Sequence, residues 1–376
     1  MKVCALNTRR KHKFNFVLFA LMICLLIIGC VFVYGASSYS AEISYGDRFF
    51  FLKKQIFGIV VGLAGYFAFS FINYKKLEKV KWVLLIGSMV LLALVFVPGV
   101  GLTNYGATRW INLRVITFQP SEIAKFAFIV FSASLLSKAS ETVKSFKGIF
   151  PVLFAGGMFC LMIILEPNMS ITICMALLVV VMLFVGGAKF KHFLILTIPA
   201  ILVVVLLIIA EPYRLKRLVA FIDPFASSKD EGFQLVQSLY GVSLGGMFGS
   251  GIFQSRQKFL FLPFAESDFI FSIIAEETGF VGSTVLILLF VLLFMCILKV
   301  AKNADTKFGF LISVGIGSII IIQVLLNIAV VTGLVPPTGL PLPFISAGST
   351  SIMIFMSMLG VVQNVYRQSV KSVIQL

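Results

Sequence analysis

The sequence predicts an all-α, polytopic membrane protein of about ten transmembrane helices, with both termini cytoplasmic and a large extracellular loop between spans 7 and 8. Three observations carry that prediction. Hydrophobic residues make up 60% of the 376 positions and charged residues only 12%, with mean hydropathy +1.07. A soluble domain holds about 45–50% apolar and about 25% charged residues, so this chain lacks the polar groups to cover its own apolar surface. Apolar runs of about 20 residues, the length a bilayer core of roughly 30 Å asks of a helix, recur along the chain. Lys and Arg alternate in density from one connecting segment to the next. Disorder, collagen, a disulfide-rich secreted scaffold and an ordinary cytosolic enzyme are excluded on composition.

Taken in order, the spans are read near 14–35, 55–72, 82–100, 121–137, 149–166, 169–187, 192–210, 269–298, 308–333 and 349–366. The first follows Lys2, Arg9, Arg10, Lys11 and Lys13, as a signal peptide would. Its apolar stretch from Phe14 to Tyr34 is longer than a usual signal core, so an uncleaved span is expected. With the N-terminus in the cytoplasm, that side collects 19 of the 31 Lys and Arg. They are the five just named, Lys75, Lys76, Lys79, Lys81, Lys138, Lys144, Lys147, Lys189, Lys191, Lys299, Lys302, Lys307, Arg367 and Lys371. The net charge of +16 thus reads as membrane topology, and no nucleic-acid partner is expected. The acids do the opposite: only Glu78, Glu141 and Asp305 of 15 fall on the cytoplasmic side. Acids contribute little to topology, so their gathering on the outer face makes chemistry there one candidate cause. The six cysteines show no CxxC spacing and read as small core residues; the two histidines, His12 and His192, make a His-based triad improbable.

Four outer segments hold the residues with chemistry in them. Gly106–Arg114 and Phe118–Lys125 bring Arg109, Trp110, Glu122 and Lys125 to the start of the fourth span. Glu122 and Lys125 share a helix face, either as a structural pair or with Lys125 reserved for an anionic headgroup. The long segment 211–268 carries Arg214 and Arg217, then Gln237 and Ser238, then a glycine-rich stretch ending in Arg256 and Lys258. Glycines beside cations suit a phosphate or diphosphate, and equally a mobile hairpin. Its scattered aromatic residues predict short amphipathic pieces packed on the outer membrane surface. Asp268 stands where this loop becomes an apolar run, with Glu276 and Glu277 two turns on. Asp268 reads as a helix N-cap or as a partly desolvated base. The stretch Thr332–Ser351, containing Pro336, Pro337, Pro341, Pro343 and Ser346, predicts irregular backbone of the kind tolerated at membrane depth only where it lines a cavity or is buried.

Together these segments resemble the SEDS family (shape, elongation, division and sporulation), which includes the FtsW, RodA and SpoVE types. The resemblance runs through GATRW, FQPSEIAK, GFQLVQSLYGVSLGGMFGSG, QSRQK, SDFIFSIIAEETG and PPTGLPLPFISAGS in one order along nearly the whole chain. The QSRQK stretch is closer to the FtsW and SpoVE branch. Glu166-Pro-Asn-Met-Ser, Glu266-Ser267 and Ala347-Gly-Ser-Thr350 depart from the family pattern, while Asp268-Phe-Ile-Phe271 keeps it.

The resemblance implies a peptidoglycan glycosyltransferase that polymerises lipid II on the outer face of the bacterial cytoplasmic membrane. It implies a class B penicillin-binding protein as partner, with other divisome or elongasome membrane proteins, and the division septum as the expected place. It points to Asp268 as the essential catalytic carboxylate. Joined to the residue reading, the expected substrate contacts are Arg109, Trp110, Lys125, Arg214, Arg217, Gln237, Ser238, Arg256, Lys258, Glu277, Pro343 and Ser346. No cofactor is required by the sequence, although a divalent cation (Mg or Mn) would help carry the charge of a departing diphosphate. A lipid flippase, a sporulation-specific member and a non-catalytic scaffold stay open as alternatives.

Overall fold

The computed structural model describes residues 10–11, 14–104, 107–112, 117–138, 142–195, 218–226, 232–337 and 339–371. Its helices are α1 (Phe16–Tyr45), α2 (Phe50–Phe71), α3 (Lys75–Lys79), α4 (Lys81–Leu94), α5 (Pro120–Lys138), α6 (Phe146–Leu165) and α7 (Met169–Gly186). After the long loop come α8 (Phe233–Leu244), α9 (Ile270–Lys302), α10 (Lys307–Val331) and α11 (Ser349–Gln368). Among the described residues, all but α3, α4 and α8 are long and apolar enough to cross a bilayer.

The ends of these helices follow local chemistry. Asn15, Asn168 and Thr306 each accept a backbone N–H of the first turn, at 3.1, 3.3 and 3.0 Å, and so start α1, α7 and α10. Gly46 and Gly187, with φ of 68° and 99°, end α1 and α7 in the left-handed conformation. Pro120 opens α5 without needing the N–H it lacks.

Three expectations are corrected. The span read at 82–100 stops as helix at Leu94, because Pro98-Gly99 turn the chain; its 14 residues reach only roughly 21 Å. The next segment is not helical or plain loop but a small antiparallel sheet, β2 (Gly101–Asn104), β3 (Ala107–Asn112) and β4 (Thr117–Phe118). The run read as one span from 269 breaks at Gly279, whose φ of 66° and ψ of −165° lie outside helical values. Of the span read at 192–210, residues 190–195 are helical and 196–210 lie outside the described residues.

The two ends of the chain meet. β1 (Arg10–Lys11) pairs antiparallel with β5 (Val370–Lys371), which puts the segment before α1 and the segment after α11 at the same end of the bundle. Helix α11 lies against α2 at close range: a Cβ at Gly58 would stand 2.9 Å from the Cα of Ser349. Small residues at such a seam let backbones approach where lipid offers no hydrophobic drive. Helices α5, α10 and α11 are buried around most of their girth, while α2 and α6 keep apolar sides exposed, with Val60, Phe71, Phe154 and Leu165 among them.

Candidate active site at the outer rim

The end of the bundle opposite the paired termini gathers the β2–β4 sheet, the stretch 244–268 and the stretch 333–348. At the break in α9, helix and loop exchange backbone bonds. Ser250 and Gly251 donate to the carbonyls of Glu276 and Glu277 at 2.9 and 3.0 Å, and Phe280 and Val281 donate to Gly246 and Met247 at 2.9 and 3.1 Å. Gly249 and Gly279 leave no room for a Cβ between these backbones. The glycines therefore serve a backbone junction, which is a close-approach role.

The amides that follow are also engaged. Phe253 and Ser255 donate to the Glu277 carboxylate at 2.9 and 3.2 Å. Arg256 and Gln257 donate to that of Glu276 at 2.8 and 3.4 Å, and the Ser255 hydroxyl donates to it as well. Lys258 donates to the carbonyl of Phe253, and its Nζ lies 3.7 Å from Glu277 Oε1. Both glutamates are 1% exposed. Buried carboxylates need such partners, and here four loop amides, a hydroxyl and one ammonium supply them. The cradle that the sequence offered to a phosphate is occupied by the protein's own carboxylates.

A second buried cation lies deeper. Lys125, wholly inaccessible, donates to Glu122 Oε1 at 2.7 Å and Gln323 Oε1 at 2.8 Å. The other end of that amide donates to the Pro341 carbonyl at 2.8 Å. One turn further along α10, Asn327 Nδ2 donates to the carbonyls of Asp268 and Leu340, at 2.8 and 2.6 Å. Two α10 amides thus strap the proline-rich segment against both the ion pair and Asp268.

Asp268 is half-buried and sits one residue before the N-cap of α9, a place taken by Phe269, so it is not the cap. The turn that carries it is fastened by backbone. Ala347 N–H donates to Glu266 at 2.9 Å, and the Ser346 hydroxyl donates to Ser267 at 2.5 Å while accepting from Leu342 N–H at 2.7 Å. Gly339, at φ 70°, runs so close that a Cβ there would lie 3.1 Å from Asp268 Oδ2. Burial pushes the neighbouring Glu266 carboxyl above its ordinary range, against the weaker pull of its own backbone N–H.

The remaining sequence-predicted residues divide. Arg109, on β3, donates to the carbonyls of Glu166 (3.3 Å) and Pro167 and so docks the sheet onto the end of α6. Trp110 is half-buried opposite Leu102. The Ser238 hydroxyl donates to Val331 at 2.9 Å and its carbonyl accepts from Ser272 at 2.8 Å, fastening α8 to α10 and α9; Gln237 beside it is half-buried. Pro343 is buried, the Arg256 side chain is exposed, and Arg214 and Arg217 lie outside the described residues. Sequence reasoning did not single out Gln323, Asn327 or Gly339. Two amides four residues apart in an otherwise apolar run were the available signal for the first two, since polar groups at membrane depth seek a partner.

Among the described residues no three His, Cys, Asp or Glu lie close enough to hold a metal ion.

The fold is that of a polytopic helical membrane protein, and comparison defines the family. The chain belongs to the FtsW/RodA/SpoVE family, described as "Cell cycle protein", which matches residues 15–371. It is 38% identical to "Stage V sporulation protein E" of Bacillus subtilis (strain 168), over 96% of this chain and 99% of that one. It is 37% identical to "Probable peptidoglycan glycosyltransferase FtsW" of Geobacter sp. (strain M18), over 95% and 98%. In structure it is similar to a chain from "Structural coordination of polymerization and crosslinking by a peptidoglycan synthase complex". There the TM-score is 0.80 at 26% identity, covering 95% of this chain and 98% of that chain. Rod shape determining protein RodA of Thermus thermophilus shares the fold, with TM-score 0.69 at 24% identity, over 95% and 97%.

Proposed function

We propose that this protein is a peptidoglycan glycosyltransferase that polymerises lipid II on the outer face of the cytoplasmic membrane, in cell division. The observation that carries the reading is Asp268: half-buried, held by its backbone carbonyl, and placed where the stretch 244–268 meets the stretch 333–348. The names of the FtsW relatives support the activity.

In this reading the Asp268 carboxylate accepts the proton of the acceptor sugar's hydroxyl. That oxygen attacks the anomeric carbon of the donor, the carbon–oxygen bond to the diphosphate breaks, and undecaprenyl diphosphate leaves with the electron pair. A diphosphate leaves with little need of a general acid. Its charge requires cations at the rim, and the two buried lysines are engaged internally, so the exposed Arg256 is the described side chain best placed to meet it, with Arg214 and Arg217 as further candidates. A transpeptidase of the class B penicillin-binding type is the proposed partner, since a chain of the same fold comes from a synthase complex that couples polymerisation to crosslinking. The septum is the proposed place of action.

The test is Asp268→Asn in full-length protein, reconstituted with the transpeptidase and supplied with lipid II. Loss of glycan product with normal insertion is expected. Full turnover removes Asp268 as the base, and headgroup translocation without polymer points to a flippase instead.

A further inference from the structure

The rim holds one side chain whose bonding pattern the reaction does not explain. Asn327 lies on α10, 1% exposed, and its single amide nitrogen donates both hydrogens to backbone carbonyls, that of Asp268 at 2.8 Å and that of Leu340 at 2.6 Å. Its Oδ1 is buried with no hydrogen-bond partner. A buried amide normally satisfies both ends, so an orphaned acceptor beside a doubly used donor marks a position where the donor decides the residue. The orientation is fixed by chemistry: a flipped amide would set Oδ1 against two carbonyl oxygens.

We propose that Asn327 is a positioning residue for Asp268, its amide nitrogen fastening the Asp268 carbonyl to the 339–342 strap so that the carboxylate keeps one place at the rim. The inference rests on Asp268 acting as the base. The strap is itself anchored one helical turn away, where Gln323 joins the Pro341 carbonyl to Lys125. On its other side it passes Asp268 at Gly339, the one residue type without a Cβ to strike Oδ2. The Asp268 backbone is thereby held from α10, while Ser346 and Ala347 hold the two residues before it. Nothing in this arrangement binds the carboxylate oxygens through Asn327, so the effect passes through position alone. A general base must stand within about 2.6–3.2 Å of the proton's oxygen, and a misplacement of about 1 Å costs on the order of 100-fold.

The experiment compares Asn327→Ala, Asn327→Asp and Asn327→Gln with Asp268→Asn, in full-length protein reconstituted with lipid II and the transpeptidase. Rates are expressed per folded molecule, with folding checked by thermal unfolding. Asn327→Ala is expected to lower kcat about 10- to 100-fold with KM for lipid II nearly unchanged. Asn327→Asp, which sets carboxylate oxygens against the two carbonyls, should be worse, and Asn327→Gln, which restores a donor on a longer arm, should recover part of the rate. A merely structural residue would lower the folded yield and leave kcat per folded molecule alone across the series; that result overturns the proposal. The two readings separate: full turnover by Asp268→Asn strikes the base itself, whereas a silent Asn327 series beside a dead Asp268→Asn strikes only the positioning role.

Discussion

Two groups of acids stand at the start of α9 and are built in opposite ways. Glu276 and Glu277 have their oxygens wrapped by the amides of residues 253–257 and balanced by Lys258. Asp268, eight residues earlier, has its carbonyl held by Asn327 and the carbonyls of the two residues before it held by Ser346 and Ala347, with the residue itself half-buried. The same chemical group thus does two jobs, and the distinction lies in where the surrounding N–H groups point. Amides that meet a carboxylate make it an anchor; amides that meet the carbonyls around it hold the chain that carries it in place.

The largest expected effects come from breaking each half of that contrast. Asp268→Asn should lower polymerisation at least about 100-fold, within the range of a lost general base, while the melting temperature stays near wild type. Glu277→Gln should do the reverse. It leaves the Lys258 ammonium without its carboxylate in a buried place, a loss of about 3–5 kcal/mol read by chemical unfolding in detergent. Should Glu277→Gln melt like the wild type but raise KM for lipid II, Glu277 would belong with the binding residues and the contrast would fail.

A smaller effect sharpens how the loop is seated. Ser238→Ala removes the hydroxyl that ties α8 to the Val331 carbonyl, and about 1 kcal/mol of stability should go with it. Hydrogen exchange should then rise in α8 ahead of α9, because only the first of these depends on that bond. Uniform exchange across both helices would mean that the loop and the bundle open together.

Much of this was legible in the chain. Apolar runs as long as a bilayer is thick are spans, and the outer clustering of acids is visible in the sequence. What escaped was local and has physical reasons. Pro98-Gly99 lie inside a run that is apolar throughout, so hydropathy carried the span past the point where backbone geometry ends it. Gly279 is an ordinary residue in an apolar helix until Gly246 and Met247 offer carbonyls to the amides beyond it. Strands β2 and β3 are too short and too polar to announce themselves. The glycine-rich loop reads in sequence as a phosphate site or a mobile hairpin, whereas in the fold its amides meet the carboxylates of Glu276 and Glu277. Gln323 and Asn327 were visible as letters, but their partners are backbone carbonyls, which no sequence pattern names.

The smallest effect tests how dry the rim is between these two regions. Glu266 sits two residues before Asp268, and burial holds its carboxyl above the ordinary value. An acid with a raised folded-state value binds more protons folded than unfolded, so its contribution is fully present below the ordinary glutamate value. That contribution is lost as pH rises through the folded-state value. Wild-type stability should therefore fall across that interval, and Glu266→Gln, which cannot ionise, should flatten the fall. Melting curves of the two proteins across a pH series read this directly. Parallel curves would mean that water reaches Glu266 freely, and a rim that wet would argue against the partial desolvation that the proposed role of Asp268 as a base calls for.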